Sequence, residues 1–597
     1  MIGANRSKMF WALLMFPAAA IGGLLLLMAV SASSSPEEEE SPETPVEQAE
    51  EVLEDDKLLG LKHRQKLWDI EHIAFLTEQK VLPNVIRGLV EADRTAIEPL
   101  LHESFQAQWV DGETQTLLED SLFHVTLQTA SLQAPHVSAD AFFAALKELR
   151  EQFDENRAKI GLVRWGPEDP KRPEGPWRGV WRIRWWGQKE EGGRVEMRIR
   201  MKLALDPLSE QVGEQKHYIR SARIESLETR RGGVSMLAET TDTCGIDNEP
   251  LYDFWKLPSE SFCGSSGGAS VCDYDQDGHL DVLIDDQFGG CLLYRGQGDG
   301  TFKPANKEAQ LPQSGMGKPG MSCWADLDND GDPDLIVGGW IFSNDGDGTF
   351  TDVTGKCNLL ARGYNGLAVA DFDRDGLLDV YECHAHAASY SQEGQQPQTA
   401  AWIDGGFGYD NVLWKNLGDW KFEDVTSTAK AGGGGGSTFS AVWLDANGDN
   451  WPDVLSINEF GRNSMLLNQQ DGTFRESPLD PVFGGMSMGV AAGDVNNDGQ
   501  TDLFLANMYS KAGNRVISNL SRDAYPAGMY EKVFEATRGN KLFLSRGDGT
   551  FTPDRQTSMA QFGWTYGPAL ADFNNDGLLD LYATAGFKSE KRGKPDG

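Results

Sequence analysis

Hydrophobic and polar positions divide the chain into segments of different pattern. A basic segment, 1–8, precedes an uncharged stretch at 9–30 that is long enough to cross a hydrocarbon core of about 30 Å. Residues 31–56 are acidic, rich in Pro, Ser and Glu, and too poor in apolar side chains to fold. The pattern predicts a transmembrane anchor or signal peptide and an acidic linker. We expect an exported chain that either stays anchored, facing the periplasm or cell exterior, or is secreted after cleavage within the N-terminal segment.

Residues 57–240 change from a helical to an alternating pattern. Apolar residues first recur at helical spacing, and the stretch from Trp177 to Trp185 then alternates Trp or Ile with Arg. This order predicts a small α+β domain, with an NTF2-like fold as one possibility. The Trp residues are expected to form sheet core, although a stacking surface for sugars or single-stranded nucleic acid is the alternative. Residues 241–261 are a connector.

A nine-residue pattern then occurs six times. Positions 1, 3, 5 and 9 carry Asp or Asn, and position 6 is Gly except in the fourth copy, which has Asn450. The candidate metal ligands are Asp273, Asp275, Asp277 and Asp281; Asp326, Asp328, Asp330 and Asp334; Asp371, Asp373, Asp375 and Asp379; Asp445, Asn447, Asp449 and Asp453; Asp494, Asn496, Asp498 and Asp502; and Asp572, Asn574, Asp576 and Asp580.

The chemistry of these loops favours Ca²⁺, with up to six ions. Hard oxygen ligands in a flexible loop suit Ca²⁺ better than Zn²⁺, which prefers nitrogen and sulfur. A sharp turn at position 6 would let the ligands converge, and Gly reaches the required positive φ without steric cost. Asn450 would have to adopt the left-handed region. An EF-hand is excluded because five of the six copies lack a carboxylate at position 12.

The loops are embedded in a larger repeat. Small or apolar residues precede each loop and aliphatic residues follow it, and a hairpin turn of the Gly-Asp-Gly-Thr-Phe type comes later in five copies. Four strands per repeat predict a mainly β chain in which residues 262–597 form a β-propeller. We expect six or seven blades. The last blade is incomplete in this chain, which favours a fragment.

The loops and turns together resemble the FG-GAP/VCBS repeats of integrin α-subunit heads and of secreted proteins related to cartilage acidic protein. The resemblance covers about residues 262–586, and the sixfold recurrence makes it fairly specific. It implies a Ca²⁺-stabilised extracellular interaction module without catalysis.

The longest insertions, near 383–410 and 507–540, are expected on the propeller face opposite the metal loops. Long loops on a rigid scaffold commonly carry function. Four aromatic residues are predicted beside them as contacts for an extracellular protein or carbohydrate partner: Tyr364, Phe439, Trp564 and Tyr566.

Three short motifs have simpler explanations than the functions they suggest. Cys383-His384-Ala-His386 has no further ligands at a transition-metal spacing. Ser487 lies in a Gly-x-Ser-x-Gly match that precedes a strand rather than a helix. Arg546-Gly547-Asp548 belongs to a repeated hairpin turn.

The net charge and the cysteine content limit the range of possible functions. The formal net charge of −37 argues against a nucleic-acid partner. Seven Cys residues in an exported chain make some disulfides plausible, but the odd count and the many possible pairings leave them unassigned. We expect a non-enzymatic interaction or adhesion module. The alternative is a Ca²⁺-dependent hydrolase or oxidoreductase on the same scaffold, with its site on the insertion face.

Overall fold

The computed structural model describes residues 61–585 apart from short gaps, the longest of which are 233–239, 252–266, 315–320, 386–407, 510–516 and 555–563. The described residues divide into two compact units. The first contains residues up to 232 and those described between Ser510 and Tyr530. The second contains residues 240–509 and 531–585. Strands predominate, so the predicted mainly β class is confirmed.

The described residues of the first unit form three α-helices: α1 (Leu61–Lys80), α2 (Leu82–Glu91) and α3 (Ala139–Arg150). α1 and α3 occur where apolar residues recur at helical spacing in the sequence. α3 begins after Ser138, whose side-chain oxygen accepts a hydrogen bond from the Ala141 amide, and its last turn carries basic residues that complement the helix dipole. Phe142 and Leu146 of α3 are buried in the core of this unit.

An eight-stranded sheet completes the first unit. Its strands run in the order β2-β3-β8-β7-β6-β5, with β1 parallel to β8 and β4 beside β1. The strands are β1 (Leu101–Gln108), β2 (Gln115–Glu119), β3 (Phe123–Thr129), β4 (His136–Val137), β5 (Glu155–Pro167), β6 (Trp177–Gln188), β7 (Arg194–Leu205) and β8 (Ile219–Gly232).

The Trp stripe of the first unit is core, as the alternation indicates. Trp165, Trp177, Trp181 and Trp185 are all buried, and the rings of Trp165 and Trp181 stack with their centroids 6.2 Å apart. Buried indoles do not offer a stacking surface to a ligand, which removes the alternative interpretation. Part of the predicted insertion near 507–540 also belongs to this unit: Asn519 donates a hydrogen bond to the Trp165 carbonyl at 3.1 Å.

The second unit contains five four-stranded antiparallel sheets and a two-stranded sheet. Each four-stranded sheet is a meander in chain order, and we number the sheets as blades 1 to 5 and the two-stranded sheet as blade 6. Their strands are β9 (Ala269–Cys272), β10 (Asp281–Asp285), β11 (Cys291–Gly296) and β12 (Phe302–Pro304); β13 (Cys323–Ala325), β14 (Asp334–Val337), β15 (Trp340–Asn344) and β16 (Phe350–Asp352); β17 (Gly366–Ala370), β18 (Asp379–Cys383), β19 (Val412–Asn416) and β20 (Phe422–Asp424); β21 (Ser437–Leu444), β22 (Asp453–Phe460), β23 (Ser464–Asn468) and β24 (Phe474–Ser477); β25 (Ser487–Gly493), β26 (Asp502–Asn507), β27 (Lys541–Ser545) and β28 (Phe551–Asp554); and β29 (Thr565–Ala571) and β30 (Asp580–Ala585).

The blades follow one another as in a β-propeller. The first strand of each blade contacts the first strand of the next, from β9 through β13, β17, β21 and β25 to β29. Small residues such as Ala368 and Gly489 on these strands allow this close approach. Apolar side chains fill the seams, as where Leu283 of blade 1 clusters with Leu335 and Phe342 of blade 2. The propeller prediction is confirmed, whereas the predicted blade number stays a prediction.

The described residues also form three short helices outside the sheets: α4 (Thr241–Cys244), α5 (Thr426–Ala429) and α6 (Met529–Ala536). Among the described residues, no helix combines the length and apolar character needed to span a membrane. The predicted anchor at 9–30 lies outside the described residues. The six described cysteines are free thiols, so no disulfide forms among Cys244, Cys272, Cys291, Cys323, Cys357 and Cys383.

Candidate metal centres

The six predicted loops connect the first and second strands of blades 1 to 6 and share one backbone shape. In each, the position 1 carboxylate accepts hydrogen bonds from the amides of positions 5 and 6. In loop 1 the Asp273 oxygens lie 3.1 Å from the Asp277 nitrogen and 2.9 Å from the Gly278 nitrogen. The first aspartate therefore closes the loop on itself.

Two left-handed residues give the loop its turn. Position 6 has positive φ in all six copies, from Asn450 at 64° to Gly331 at 98°. Asn450 thus takes the conformation that the sequence requires of it, and its amide donates to Asp445 at 2.8 Å. Position 4 is also left-handed in every copy, for example Gln276 at 54° and Gly448 at 75°. The sequence reasoning missed position 4, because its residue types vary.

The position 9 aspartate is the most buried group of the loop. Asp281, Asp334 and Asp379 are each at most 1% exposed. Their two oxygens accept hydrogen bonds from the position 2 amide and from the last residue of the third strand, as Asp334 does from Leu327 at 2.7 Å and Asn344 at 2.9 Å. Burial, with some help from neighbouring carboxylates, raises the pKa of Asp334 and Asp379 to about 7. Ionisation of the position 9 carboxylate is therefore unfavourable in this buried environment.

Three loops bring carboxylate oxygens of positions 1, 3 and 9 within 4.8 Å of one another. The groups are Asp273, Asp275 and Asp281; Asp326, Asp328 and Asp334; and Asp371, Asp373 and Asp379. In each group one oxygen of position 3 is buried without a hydrogen-bond partner: Oδ1 of Asp275, Asp328 and Asp373. A buried carboxylate oxygen without a donor is costly, and a bound cation would satisfy it. These residues fit a divalent ion.

The position 5 aspartate is not part of the three-carboxylate groups formed by positions 1, 3 and 9. Its carboxylate accepts a hydrogen bond from the position 7 amide, as Asp277 does from His279 at 2.9 Å. Loops 4 to 6 carry Asn at position 3, and its side-chain nitrogen donates to position 5 at 3.0 to 3.1 Å. These loops share the backbone shape of loops 1 to 3 but have one carboxylate fewer. The amide oxygen of each Asn remains a suitable Ca²⁺ ligand.

Basic side chains from the third strand enter two of the loops. Arg295 on β11 pairs with Asp275 and Asp277, each at 2.7 Å. Lys415 on β19 pairs with Asp373 and also with Asp375, the latter at 3.0 Å. The Arg295 hydrogen bond lowers the pKa of Asp277, whereas burial and neighbouring carboxylates raise the pKa of Asp328 in loop 2. The sequence reasoning missed both cations, although each stands four residues before the turn aspartate.

The loops also hold adjacent blades together. The side-chain nitrogens of Asn344, Asn416 and Asn468 each donate at 2.8 Å to the position 2 carbonyl of the preceding blade. Position 4 side chains also link neighbouring blades, as where Gln276 of loop 1 donates a hydrogen bond to the Gly331 carbonyl of loop 2 at 3.0 Å. A change in loop conformation is therefore transmitted to the seam between two blades.

A comparison with protein families matches the FG-GAP-like repeat to residues 259–337, 338–382, 445–505 and 533–583. All six loops lie within these segments. These four segments of the chain are FG-GAP-like repeats. The predicted FG-GAP resemblance is thereby confirmed. A comparison with curated proteins gives no match to the chain.

The four predicted partner contacts are placed differently on the FG-GAP-like propeller. Tyr364 is only 2% exposed and its hydroxyl donates to the Met321 carbonyl at 3.1 Å, so its prediction as a surface contact is wrong. Strand alternation indicates which way a side chain faces but not how deeply the neighbouring blade covers it. Phe439, Trp564 and Tyr566 are half-buried, and their roles stay predictions.

The structure places residues of the three short motifs in local contacts within the FG-GAP-like propeller. Ser487 is fully buried on β25, and its hydroxyl accepts a hydrogen bond from Asn463 at 3.0 Å. Asp548 caps its own hairpin by accepting from the Thr550 amide at 3.0 Å. His384 lies 3.3 Å from the buried Glu382, while His386 is outside the described residues.

Proposed function

We propose that the FG-GAP-like propeller binds Ca²⁺ in its six loops and serves, in this ion-bound form, as a non-enzymatic module that recognises a protein or carbohydrate. The observation that carries the metal part is the orphaned Oδ1 atom at position 3 of loops 1 to 3. Each lies among carboxylates close enough to share one ion. Bound Ca²⁺ would offset the charge of the loop carboxylates and so stabilise the loops. This structural role requires no further cofactor.

Calcium is favoured over other divalent ions by the donor set. The ligands are carboxylate and amide oxygens, without a His or Cys in any of the six loops at positions 1, 3, 5 and 9. The loops tolerate Asp or Asn at position 3, which suits the irregular geometry of Ca²⁺ better than the strict octahedron of Mg²⁺. The backbone carbonyl of position 7 is available as a further ligand, because that position accepts many residue types.

Non-enzymatic recognition outside the cytoplasm is the simplest role for such a scaffold. A six- or seven-bladed ring held by ions would present its insertion loops rigidly, which lowers the entropic cost of binding a partner. The apolar stretch 9–30 and the acidic linker 31–56 support export, with the chain either anchored or released. Ca²⁺ is also far more abundant outside cells than in the cytosol, in keeping with sites of moderate affinity.

Counting bound ions tests the proposal. Metal-stripped wild-type protein is dialysed against millimolar Ca²⁺ and its ion content is measured by native mass spectrometry. We expect up to six ions, and we expect Asp328→Ala to bind one fewer because it removes the orphaned oxygen of loop 2. Asp299→Ala, which alters a hairpin turn outside the loops, is the matched control and should bind as many ions as the wild type. An Asp328→Ala protein with an undiminished count would contradict the proposal.

A further inference from the structure

The six loops differ in how their negative charge is balanced. The last residue of the third strand donates its amide to the position 9 aspartate in all five complete blades, at 2.7 to 2.9 Å. This shared bond aligns the third strands. The residue before it holds the same place on the third strand of each blade but differs in type: Arg295, Ser343, Lys415, Leu467 and Leu544 in blades 1 to 5. Of these, Arg295 and Lys415 reach the loop of their own blade.

The charge at this position matches the charge of the loop in every described blade but one. Loops 1 and 3 have four carboxylates, and Arg295 or Lys415 pairs with two of them. Loops 4 and 5 have three carboxylates and a neutral leucine at this position. Loop 2 has four carboxylates at its ligand positions and a fifth, Asp332, at position 7, but only Ser343 on the third strand. Within the described residues, no Lys or Arg pairs with a carboxylate of loop 2.

We infer that Arg295 and Lys415 act as built-in counter-ions, so that loop 2 is the tightest divalent-cation site of the propeller. An ion entering loop 1 or loop 3 has to displace or share carboxylates with a cation that is covalently part of the chain. An ion entering loop 2 meets four uncompensated carboxylates and the buried Oδ1 of Asp328. Affinity rises with the number of uncompensated ligand charges, so occupancy is graded around the ring.

This difference in ion affinity between the loops has a structural consequence. In loops 1 and 3 the internal ion pairs offset part of the carboxylate charge, whereas loop 2, which has no such pair among the described residues, would rely on an external ion for this. Loop 2 contributes its position 2 carbonyl to Asn416 of blade 3 and its Gly331 carbonyl to Gln276 of blade 1. The seams on both sides of blade 2 are therefore the part of the propeller that a bound ion would stabilise at the lowest free Ca²⁺ concentration.

Reciprocal substitutions test the inference, which rests on the proposed function. Ca²⁺ is titrated into metal-stripped full-length protein by isothermal calorimetry. We expect one tight ion in the wild type, with the other ions at least about tenfold weaker. Ser343→Lys should remove the tight ion by supplying loop 2 with a counter-ion. Lys415→Ser, and independently Arg295→Ser, should each raise the number of tight ions from one to two.

The control variant is Lys303→Ser, which removes a positive charge from the strand next to Arg295 without removing a loop counter-ion. It should bind Ca²⁺ as the wild type does. A Ser343→Lys protein that folds, as judged by its circular dichroism, and retains the tight ion would overturn the inference. So would Lys415→Ser and Arg295→Ser proteins that both keep a single tight ion. Those results leave the proposed function standing, whereas a wild type that binds no Ca²⁺ refutes both.

Discussion

Loops 1 to 5 each contain one aspartate whose ionisation the fold itself opposes, at position 9, where burial raises the pKa. Position 9 is buried in all five complete blades, and its carboxylate accepts two backbone hydrogen bonds, as Asp281 does from Tyr274 and Gly296. Burial raises the pKa of Asp334 and Asp379 to about 7 and that of Asp453 to about 6, against an ordinary value of 3.8. A bound divalent ion would reverse this direction, because its charge favours the ionised carboxylate.

The raised pKa values predict an unusual pH dependence for the metal-free protein. Between the ordinary pKa of 3.8 and the folded value of about 7, the folded state holds protons that the unfolded state releases. The free energy of unfolding of the metal-free protein should therefore fall as the pH rises from 5 to 8. Urea unfolding of metal-stripped protein at several pH values measures this slope. With millimolar Ca²⁺ the slope should weaken or reverse, because the ion requires deprotonated ligands.

The variant Asp334→Asn provides the control for this pH dependence. An amide does not titrate, so the variant should lose part of the slope seen in the metal-free wild type. A metal-free wild type whose stability rises steadily from pH 5 to pH 8 would contradict the assignment of raised pKa values to position 9.

At the scale of elements, the loops act on the seams between blades. Asn416 illustrates the arrangement: its side-chain nitrogen donates to the Leu327 carbonyl of blade 2 at 2.8 Å and to Leu378 at 3.1 Å, while its oxygen accepts from Gly418 at 2.9 Å. One side chain thus links a strand end, a hairpin turn and the metal loop of the neighbouring blade.

Replacing this asparagine should loosen one seam. Asn416→Ala leaves buried backbone groups without partners, and we expect it to lower the free energy of unfolding by about 1 to 3 kcal/mol. Chemical denaturation in saturating Ca²⁺ measures the loss. The exposed Glu308→Ala is the control and should change stability by less than about 0.5 kcal/mol. An Asn416→Ala protein as stable as this control would show that the seam does not depend on the bond.

The elements predicted from the sequence are those that follow from repetition. The same positions of Asp, Asn and Gly recur within six nine-residue segments, and this recurrence predicts the loops. The recurring hairpin turn predicts the four-stranded repeat. Contacts made between blades left no local pattern to read. The burial of Tyr364 against the neighbouring blade is therefore not visible in the sequence. Arg295 and Lys415 lie in the same blade as the loops they pair with, but too far from them along the chain for the pairing to leave a local pattern. Periodicity shows which face a side chain is on, whereas its surroundings depend on residues far away in the chain.

At the scale of the molecule, the propeller concentrates negative charge around a ring. The chain carries a formal net charge of −37, and most loops keep three or four carboxylates within a few residues of one another. Self-repulsion of this kind destabilises a compact state. Arg295 and Lys415 relieve it at two loops, and six divalent ions would offset twelve further charges. The role of the α+β unit at 57–240 could not be predicted, because its patterns specify a core and no site.

Thermal unfolding with and without Ca²⁺ tests the central claim most directly. Metal-stripped protein is heated at pH 7.5 in a calorimeter, once with chelator and once with millimolar Ca²⁺, while Mg²⁺ at the same concentration controls for ionic strength. The account predicts that the unfolding temperature of the propeller rises by several degrees or more with Ca²⁺ and much less with Mg²⁺. An unfolding temperature that is the same with chelator and with Ca²⁺ would contradict it.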